Sequence, residues 1–258
     1  MALGKVFRTF SLPTAEMHAR QSSIYHAMLA TSRTIDRPNF TTIGDEDLER
    51  LIRMYDDLFF DGRFMPVVAA EGITFGFSKR MTSIAGELMT TYPHGPKGPR
   101  RFKLRLSSTL LFQTFKDVDR PIEVTGRRCK DRLEAMQRVA EHEMTHLLEI
   151  LIFNGGNCSE PRFQDFAKRS FGHTDYRHRL MTQRERAAAK FDIRVGDFVE
   201  FVADAQRLYG RVNRITRRAT VLVPDPKGVR FTDGKKYRKF YVPLERLKKV
   251  RGRQDRER

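Results

Sequence analysis

The chain has little of what would cross-link it or seat it in a lipid bilayer. Only two cysteines occur in 258 residues, Cys129 and Cys158, far apart and without C-x-x-C spacing. That excludes a disulfide framework and fits a reducing compartment, so a cytoplasmic protein is expected, nucleoid-associated if bacterial. No stretch approaches the eighteen or more apolar residues of a membrane span, so a soluble chain with no membrane partner is expected. Acidic residues are scarce beside basic ones: 32 Asp and Glu against 49 Lys and Arg. The first forty residues are poor in acids and rich in Arg, Ser and Thr, with no apolar core of signal-peptide type. They are expected to form a disordered leader, faintly like a transit peptide, and secretion is not expected.

What the chain does have is positive charge, a net +17 with a pI near 10.3. A protein this basic associates with polyanions through phosphate contacts and counterion release. Residues 190–258 hold 20 Lys and Arg against 9 Asp and Glu, so most of the excess lies in the last quarter. Nucleic acid is the natural partner, with acidic proteins or plain solubility as the bland explanations.

The second strong feature is His142-Glu143-Met144-Thr145-His146, an H-E-x-x-H motif inside a helical pattern. On an α-helix the i,i+4 spacing puts both imidazoles on one face, where they can ligate one Zn²⁺, with Glu143 placed as general base. From Asp131 to Phe153, Leu133, Met136, Ala140, Met144, Leu147 and Leu151 recur at spacings of three and four, which predicts a buried stripe. At about 100° per residue, the histidines lie roughly opposite it, facing a cleft. Asp131 with Glu134 can cap the start of this helix, and Gly155-Gly156 can end it.

Catalytic zinc usually has three protein ligands and a water. Downstream, Glu149, Cys158, Glu160, His173 and His178 are available. Glu149 is one turn further along the same helix and suits an outer role beside the ligands. Cys158 and Glu160 follow the Gly155-Gly156 break, where the chain can fold back, and His173 needs a longer return.

The segment from about Asp45 to Leu180 resembles the SprT-like metalloprotease domain, the bacterial SprT and eukaryotic Spartan group. The matching features begin with a leading helix bearing Leu48, Leu51, Ile52, Tyr55 and Phe59 before Asp61-Gly62. They continue through a strand at Ala85-Gly86, the stretch Phe102 to Ser107 and the H-E-x-x-H helix, then Pro161-Arg162-Phe163 and Phe166 to His173. The resemblance implies a zincin-like α+β domain whose third ligand is a histidine in an H-G-x-x-F/W element. Ser159 stands at that place here, so Cys158 is the favoured third ligand, with Glu160 or His173 as alternatives. The resemblance also implies proteolysis of proteins bound on, or crosslinked to, DNA. It further implies that Phe102 to Ser107 lies beside the cleft, where a strand can pair with extended substrate. Tyr92 to Pro99, rich in Pro and Gly, is expected to be a surface turn.

After residue 190 the periodicity changes. Short β-like runs at Asp197 to Val202, Tyr209 to Ile215, Ala219 to Val223 and Arg238 to Val242 are punctuated by Gly196, Gly210, Asp225-Pro226-Lys227-Gly228 and Asp233-Gly234. They predict a small all-β barrel of SH3-like type. Val195 to Val199 followed by Gly210-Arg211-Val212 resembles the opening of KOW and related SH3-like modules. Arg214, Arg217, Arg218, Lys235, Lys236, Arg238 and Lys239, interleaved with aromatics, are the expected nucleic-acid contacts, to single-stranded or duplex DNA, with RNA as an alternative. Phe240 and Val242 can instead be core residues of an alternating strand.

The expected organisation is a leader over 1–40, a zinc peptidase domain over 41–181, a linker over 182–190, a basic barrel over 191–250 and a basic tail over 251–258. The competing expectation is a non-catalytic nucleic-acid-binding protein with a structural or degenerate zinc site.

Overall fold

The structure, a computed structural model, describes residues 3–93, 95 and 98–250. The basic tail expected over 251–258, and His94, Pro96 and Lys97 of the expected surface turn, lie outside the described residues. The fold is mixed α+β and divides into two compact units, Met1–Met181 and Thr182–Arg258. No helix among the described residues is long and apolar enough to cross a membrane.

The first unit runs α1 (Leu3–Thr9), α2 (Thr14–Thr31), α3 (Asp45–Phe60), α4 (Phe64–Glu71), β1 (Ile73–Ser78), β2 (Gly86–Thr91), β3 (Arg101–Ser107), α5 (Ser108–Gln113), β4 (Ile122–Val124), β5 (Arg127–Cys129), α6 (Arg132–Phe153), α7 (Pro161–Phe171) and β6 (His178–Arg179). Its centre is α6. Of the predicted stripe, Leu133, Met136, Ala140, Met144 and Leu147 are fully buried and Leu151, near the helix end, is partly buried; most residues on the other faces, from Gln137 and Arg138 to Glu149, are buried too. The Asp131 side chain accepts from the Glu134 N–H at 2.9 Å, as the sequence suggests. The helix stops one residue before the expected glycines, because Asn154 takes the left-handed cap at φ 64° and donates its N–H to the Ile150 carbonyl.

The leader expected over 1–40 is a correction: from Leu3 onward, where the description begins, it is ordered. Its Arg- and Ser-rich composition hides Met17, Ile24 and Met28, which recur at helical intervals and bury one face of α2. Phe7 of α1 stacks on Phe166 at 4.3 Å, and Ile35 and Phe40 are also fully buried. Burial of these side chains opposes the entropy of ordering the segment, a gain that its polar composition obscures.

A second correction concerns Phe102 to Ser107. The three-stranded sheet has the order β1-β3-β2, with β3 parallel to β1 and antiparallel to β2. The strand formed by Phe102 to Ser107 is therefore central, its backbone groups already paired on both sides, and it cannot accept a substrate strand. The strand that lines the cleft is β2.

The second unit comprises α8 (Gln183–Phe191), β7 (Phe198–Ala203), β8 (Gln206–Ile215), β9 (Ala219–Arg230), β10 (Lys236–Val242), a single 3-10 turn at Leu244–Arg246, and β11 (Lys248–Lys249). Its strands form one antiparallel sheet in the order β10-β9-β8-β7-β11 over a core that includes Val199, Phe201, Val212, Val221 and Val242. The stretch expected as a linker, 182–190, is helical instead. Thr182 accepts from the Glu185 N–H while Glu185 accepts from the Thr182 N–H, a capping box, and Ala187 enters the core with no exposure. The strand β9 continues through the expected turn at Asp225 to Gly228. The register jumps there from Pro224 opposite Tyr237 to Arg230 opposite Lys236, so those turn residues form a bulge within a longer hairpin.

Candidate metal centre

The helix α6 delivers His142, Glu143 and His146 to the wall of a cleft of about 460 Å³. The opposite wall is Ala85, Gly86 and Leu88, at the start of β2. Glycine at 86 leaves room for this approach, since a β-carbon there would overlap the Glu143 carboxylate as it is placed. The strand runs against the helix at the point where the glutamate projects.

The two histidine rings lie 4.8 Å apart, and Phe163 of α7 packs against both, at 4.9 and 4.5 Å. Past the Asn154 cap the chain folds back, and one ligand atom each of His142, His146 and Cys158 lies within 4.8 Å of the others. This cluster could hold a metal ion. The donor set of two imidazoles and a thiol suits a borderline-soft divalent ion. His142 Nδ1 is buried with no hydrogen-bond partner among the described residues.

The alternatives fare differently. His173 is buried on another face of α6, with Nε2 2.9 Å from Glu141 Oε2, so it is not part of the cluster. Successive helical residues diverge by about 100°, so a histidine held by residue 141 lies off the face that carries His142. Glu160 begins α7 as its N-cap, half exposed and 3.5 Å from Arg162, and is likewise outside the cluster. Ser159 is exposed and donates its N–H to Asn157 Oδ1.

His178, present in the sequence only as one more downstream histidine, is a cleft residue. It sits on β6, which pairs with β4, and its ring lies 4.3 Å from that of His142. Its Nε2 is buried and has no partner among the described residues. No sequence interval announced this, because the position depends on strand pairing across more than fifty residues, with Val124 opposite His178.

Burial sets the charge states. It lowers His142 far below the ordinary imidazole range, assisted by the neighbouring rings of His178, His146 and His173. His146 falls to about 4 through burial, and His178 to about 3 through burial and then its histidine neighbours. All three are neutral near pH 7, the form that binds a metal. Burial and then Glu87 push Glu143 up to about 8. Burial also raises the Cys158 thiol, so a cation must displace its proton to bind.

Behind the ligand helix, Glu141 collects donors from four directions. It accepts from Gln21 of α2 at 2.8 Å, Tyr55 of α3 at 2.6 Å and Arg138 at 2.7 Å, with His173 at 2.9 Å. Burial opposes its charge, and Arg138 with His173 and Tyr55 more than offsets that, holding the carboxyl below the usual range. A buried carboxylate satisfied this fully fixes the back of α6 and hence the azimuth of the adjacent His142.

In the second unit all seven sequence-predicted cations are exposed, and none makes an ion pair among the described residues. They do not share one face. The rung Lys239–Leu222–Arg211 and the next, Tyr241–Thr220–Arg214, put Lys239, Arg214, Arg211 and the 64% exposed Tyr241 on the same side of the sheet. Lys236 and Arg238 alternate to the other side, while Arg217, Arg218 and Lys235 sit in turns. Val242 is buried and Phe240 packs against the core, so both are interior residues of the alternation. Arg211, absent from the sequence-based set, belongs to the basic face.

The chain has no match among protein-family models, curated proteins or solved structures.

Proposed function

We propose that this chain is a zinc-dependent protease of the SprT-like type, acting on DNA-associated or DNA-crosslinked proteins and tethered by its basic second unit. The carrying observation is the convergence of the ligand atoms of His142, His146 and Cys158, at a cleft whose wall carries both histidines and Glu143. Bound zinc would supply Lewis acidity and lower the pKa of water at the site. Glu143 takes the proton of the attacking water and passes it to the leaving amine. Its raised pKa in the metal-free protein suits a group that must hold a proton between those steps. His178, neutral at pH 7, offers an N–H toward the carbonyl oxygen as negative charge develops there. The open edge of β2 takes the extended peptide.

The sheet of the second unit is read as an SH3-like barrel. Its Arg211, Arg214 and Lys239 track phosphates while Tyr241 stacks on a base, so single-stranded DNA is the favoured tether and RNA the alternative. Cleavage is then restricted by location on nucleic acid rather than by a deep side-chain pocket.

The test is proteolysis of a DNA-bound protein by zinc-loaded enzyme, with and without DNA. Cleavage stimulated by DNA and lost in Glu143→Gln is expected. Zinc-replete protein that cleaves neither itself nor DNA-bound proteins refutes the protease reading. One observation favours a second reading: the His178 ring lies as near that of His142 as His146 does, and although it stands outside the three-residue cluster, a shift of its ring into a fourth ligand position would close the site into a structural one. In that case chelation lowers the melting temperature sharply and no peptide is cut.

A further inference from the structure

We infer that Glu149 and Arg162 form a clamp that positions Cys158 against the histidine pair, and that Gly156 is glycine because the clamp occupies the space of a side chain. The inference rests on the metal reading above, and concerns how a loop ligand with no secondary structure of its own is brought to the site.

Glu149 is three residues beyond His146 on α6, one turn further along the ligand face. It is fully buried, with Oε1 2.9 Å from Arg162 Nε at the start of α7. Arg162 in turn donates to the Gly155 carbonyl at 3.3 Å and lies 4.1 Å over the Phe153 ring. This guanidinium therefore ties together the end of α6, the loop and the start of α7. The other side of the loop is held by Gln164, whose Nε2 donates to the carbonyls of Cys158 and Ser159 at 3.3 and 3.1 Å. The loop backbone is thus held at Gly155, Cys158 and Ser159 by two side chains of α7, one of them anchored to α6 through Glu149.

Glu149 Oε2 is buried and has no hydrogen-bond partner among the described residues. A carboxylate buried with one oxygen unpartnered is costly, and an apolar residue would fill the space better if packing were all that mattered. That oxygen lies against Gly156, where any β-carbon would overlap it. Two residues before Cys158, the loop therefore runs directly over the carboxylate, and its height above α6 is set by that contact. Removing the charge frees Arg162 and the Gly155 carbonyl, and a methyl group at 156 either lifts the loop or pushes the carboxylate off Arg162, which undoes the clamp in both cases. Either change moves the thiol away from the imidazoles without touching a ligand.

Titrating the full-length chain with Co²⁺ and Zn²⁺ tests this. Wild type should show a sulfur-to-cobalt charge-transfer band that Cys158→Ser removes. Glu149→Gln should weaken zinc binding by about 10- to 100-fold, the range for residues that orient a ligand, and diminish the charge-transfer band while the imidazole-bound cobalt spectrum persists. Gly156→Ala should do the same, and in a Glu149→Ala background it should add little, since the overlapping carboxylate is gone. If Glu149→Gln fails to fold by circular dichroism, the Gly156→Ala pair carries the test. Wild-type zinc affinity and a full charge-transfer band in both Glu149→Gln and Gly156→Ala would overturn the clamp and leave the metal reading standing. A wild-type band that survives Cys158→Ser, or no band at all, overturns both.

Discussion

Replacing Glu143 by glutamine should stabilise the metal-free protein at neutral pH. The carboxyl is 3% exposed, faces Gly86 across the cleft, and has its pKa pushed up to about 8 by burial and then by Glu87. In the unfolded chain it titrates near 4.5. Between those values the unfolded state releases the proton while the folded state keeps it, so stability falls as pH rises through this window. At pH 7 the gap is about 2.5 pH units above the unfolded value, which corresponds to about 3 kcal/mol. Glutamine keeps the shape and removes the ionisation, so Glu143→Gln should recover about that amount, on the order of 10 °C in melting temperature for a unit of this size. The advantage should shrink toward zero near pH 4, where the carboxyl is protonated in both states. The chain contains no tryptophan, so the assay is far-ultraviolet circular dichroism in urea with chelator present, at pH 4, 5.5 and 7. A variant no more stable than wild type at pH 7, or one whose gain does not change with pH, refutes the reasoning.

Acid should act on the same metal-free protein through its histidines. With folded values of about 4 for His146 and about 3 for His178, the folded state stays neutral while the unfolded chain binds protons below pH 6.5. In the Glu143→Gln background, which removes the opposing carboxyl, stability should therefore drop as pH falls from 6.5, by about 3 kcal/mol from His146 alone by pH 4, and an unchanged urea midpoint of that variant between pH 7 and 4.5 would contradict this. Phe7→Ala should cost about 3–5 kcal/mol, because its ring is buried against Phe166, and a loss below about 1 kcal/mol would return the first forty residues to the status of a leader. Arg211→Ala and Lys239→Ala should each lower the salt dependence of single-stranded DNA binding by about one unit of slope, measured by anisotropy over a salt series. Equal slopes for both variants and wild type would remove the basic face from the nucleic-acid reading.

Local periodicity made some of these features legible and not others. The spacing of His142 and His146, the Asp131 cap and the stripe from Leu133 to Leu147 are properties of one helix, and each is found where the pattern puts it. The alternation of Phe240 and Val242 is equally local, a property of one strand. The leader failed because polar composition outweighed a short apolar repeat, Met17, Ile24 and Met28, that only a partner helix makes meaningful. The linker over 182–190 failed for the same reason, since one buried alanine and a Thr182–Glu185 box suffice to make it a helix that joins a core.

The remaining misses are all relations between distant segments, and they converge on the cleft. Which strand borders the His142–Glu143–His146 cleft depends on the sheet order β1-β3-β2, which sequence alternation cannot rank: Phe102 to Ser107 alternates more cleanly than Gly86 to Thr91, yet it is the inner strand. Alternation reports one buried face, whereas access to a peptide depends on an unpaired edge, and these are independent properties of a strand. The same holds for the ligands. His173 looked like a plausible return to the motif because it is a histidine after a helix, but the nearest carboxylate, Glu141, had already engaged it. Cys158 reaches the site because Asn154 turns the chain and Gly156 lets it cross Glu149 closely, two small departures from regular structure that hold a third donor near the helix. A metal centre built from a rigid i,i+4 pair and a loop ligand therefore divides its specification. The pair is written in one turn of helix, and the third ligand is written in whatever pins the loop, here Glu149, Arg162 and Gln164.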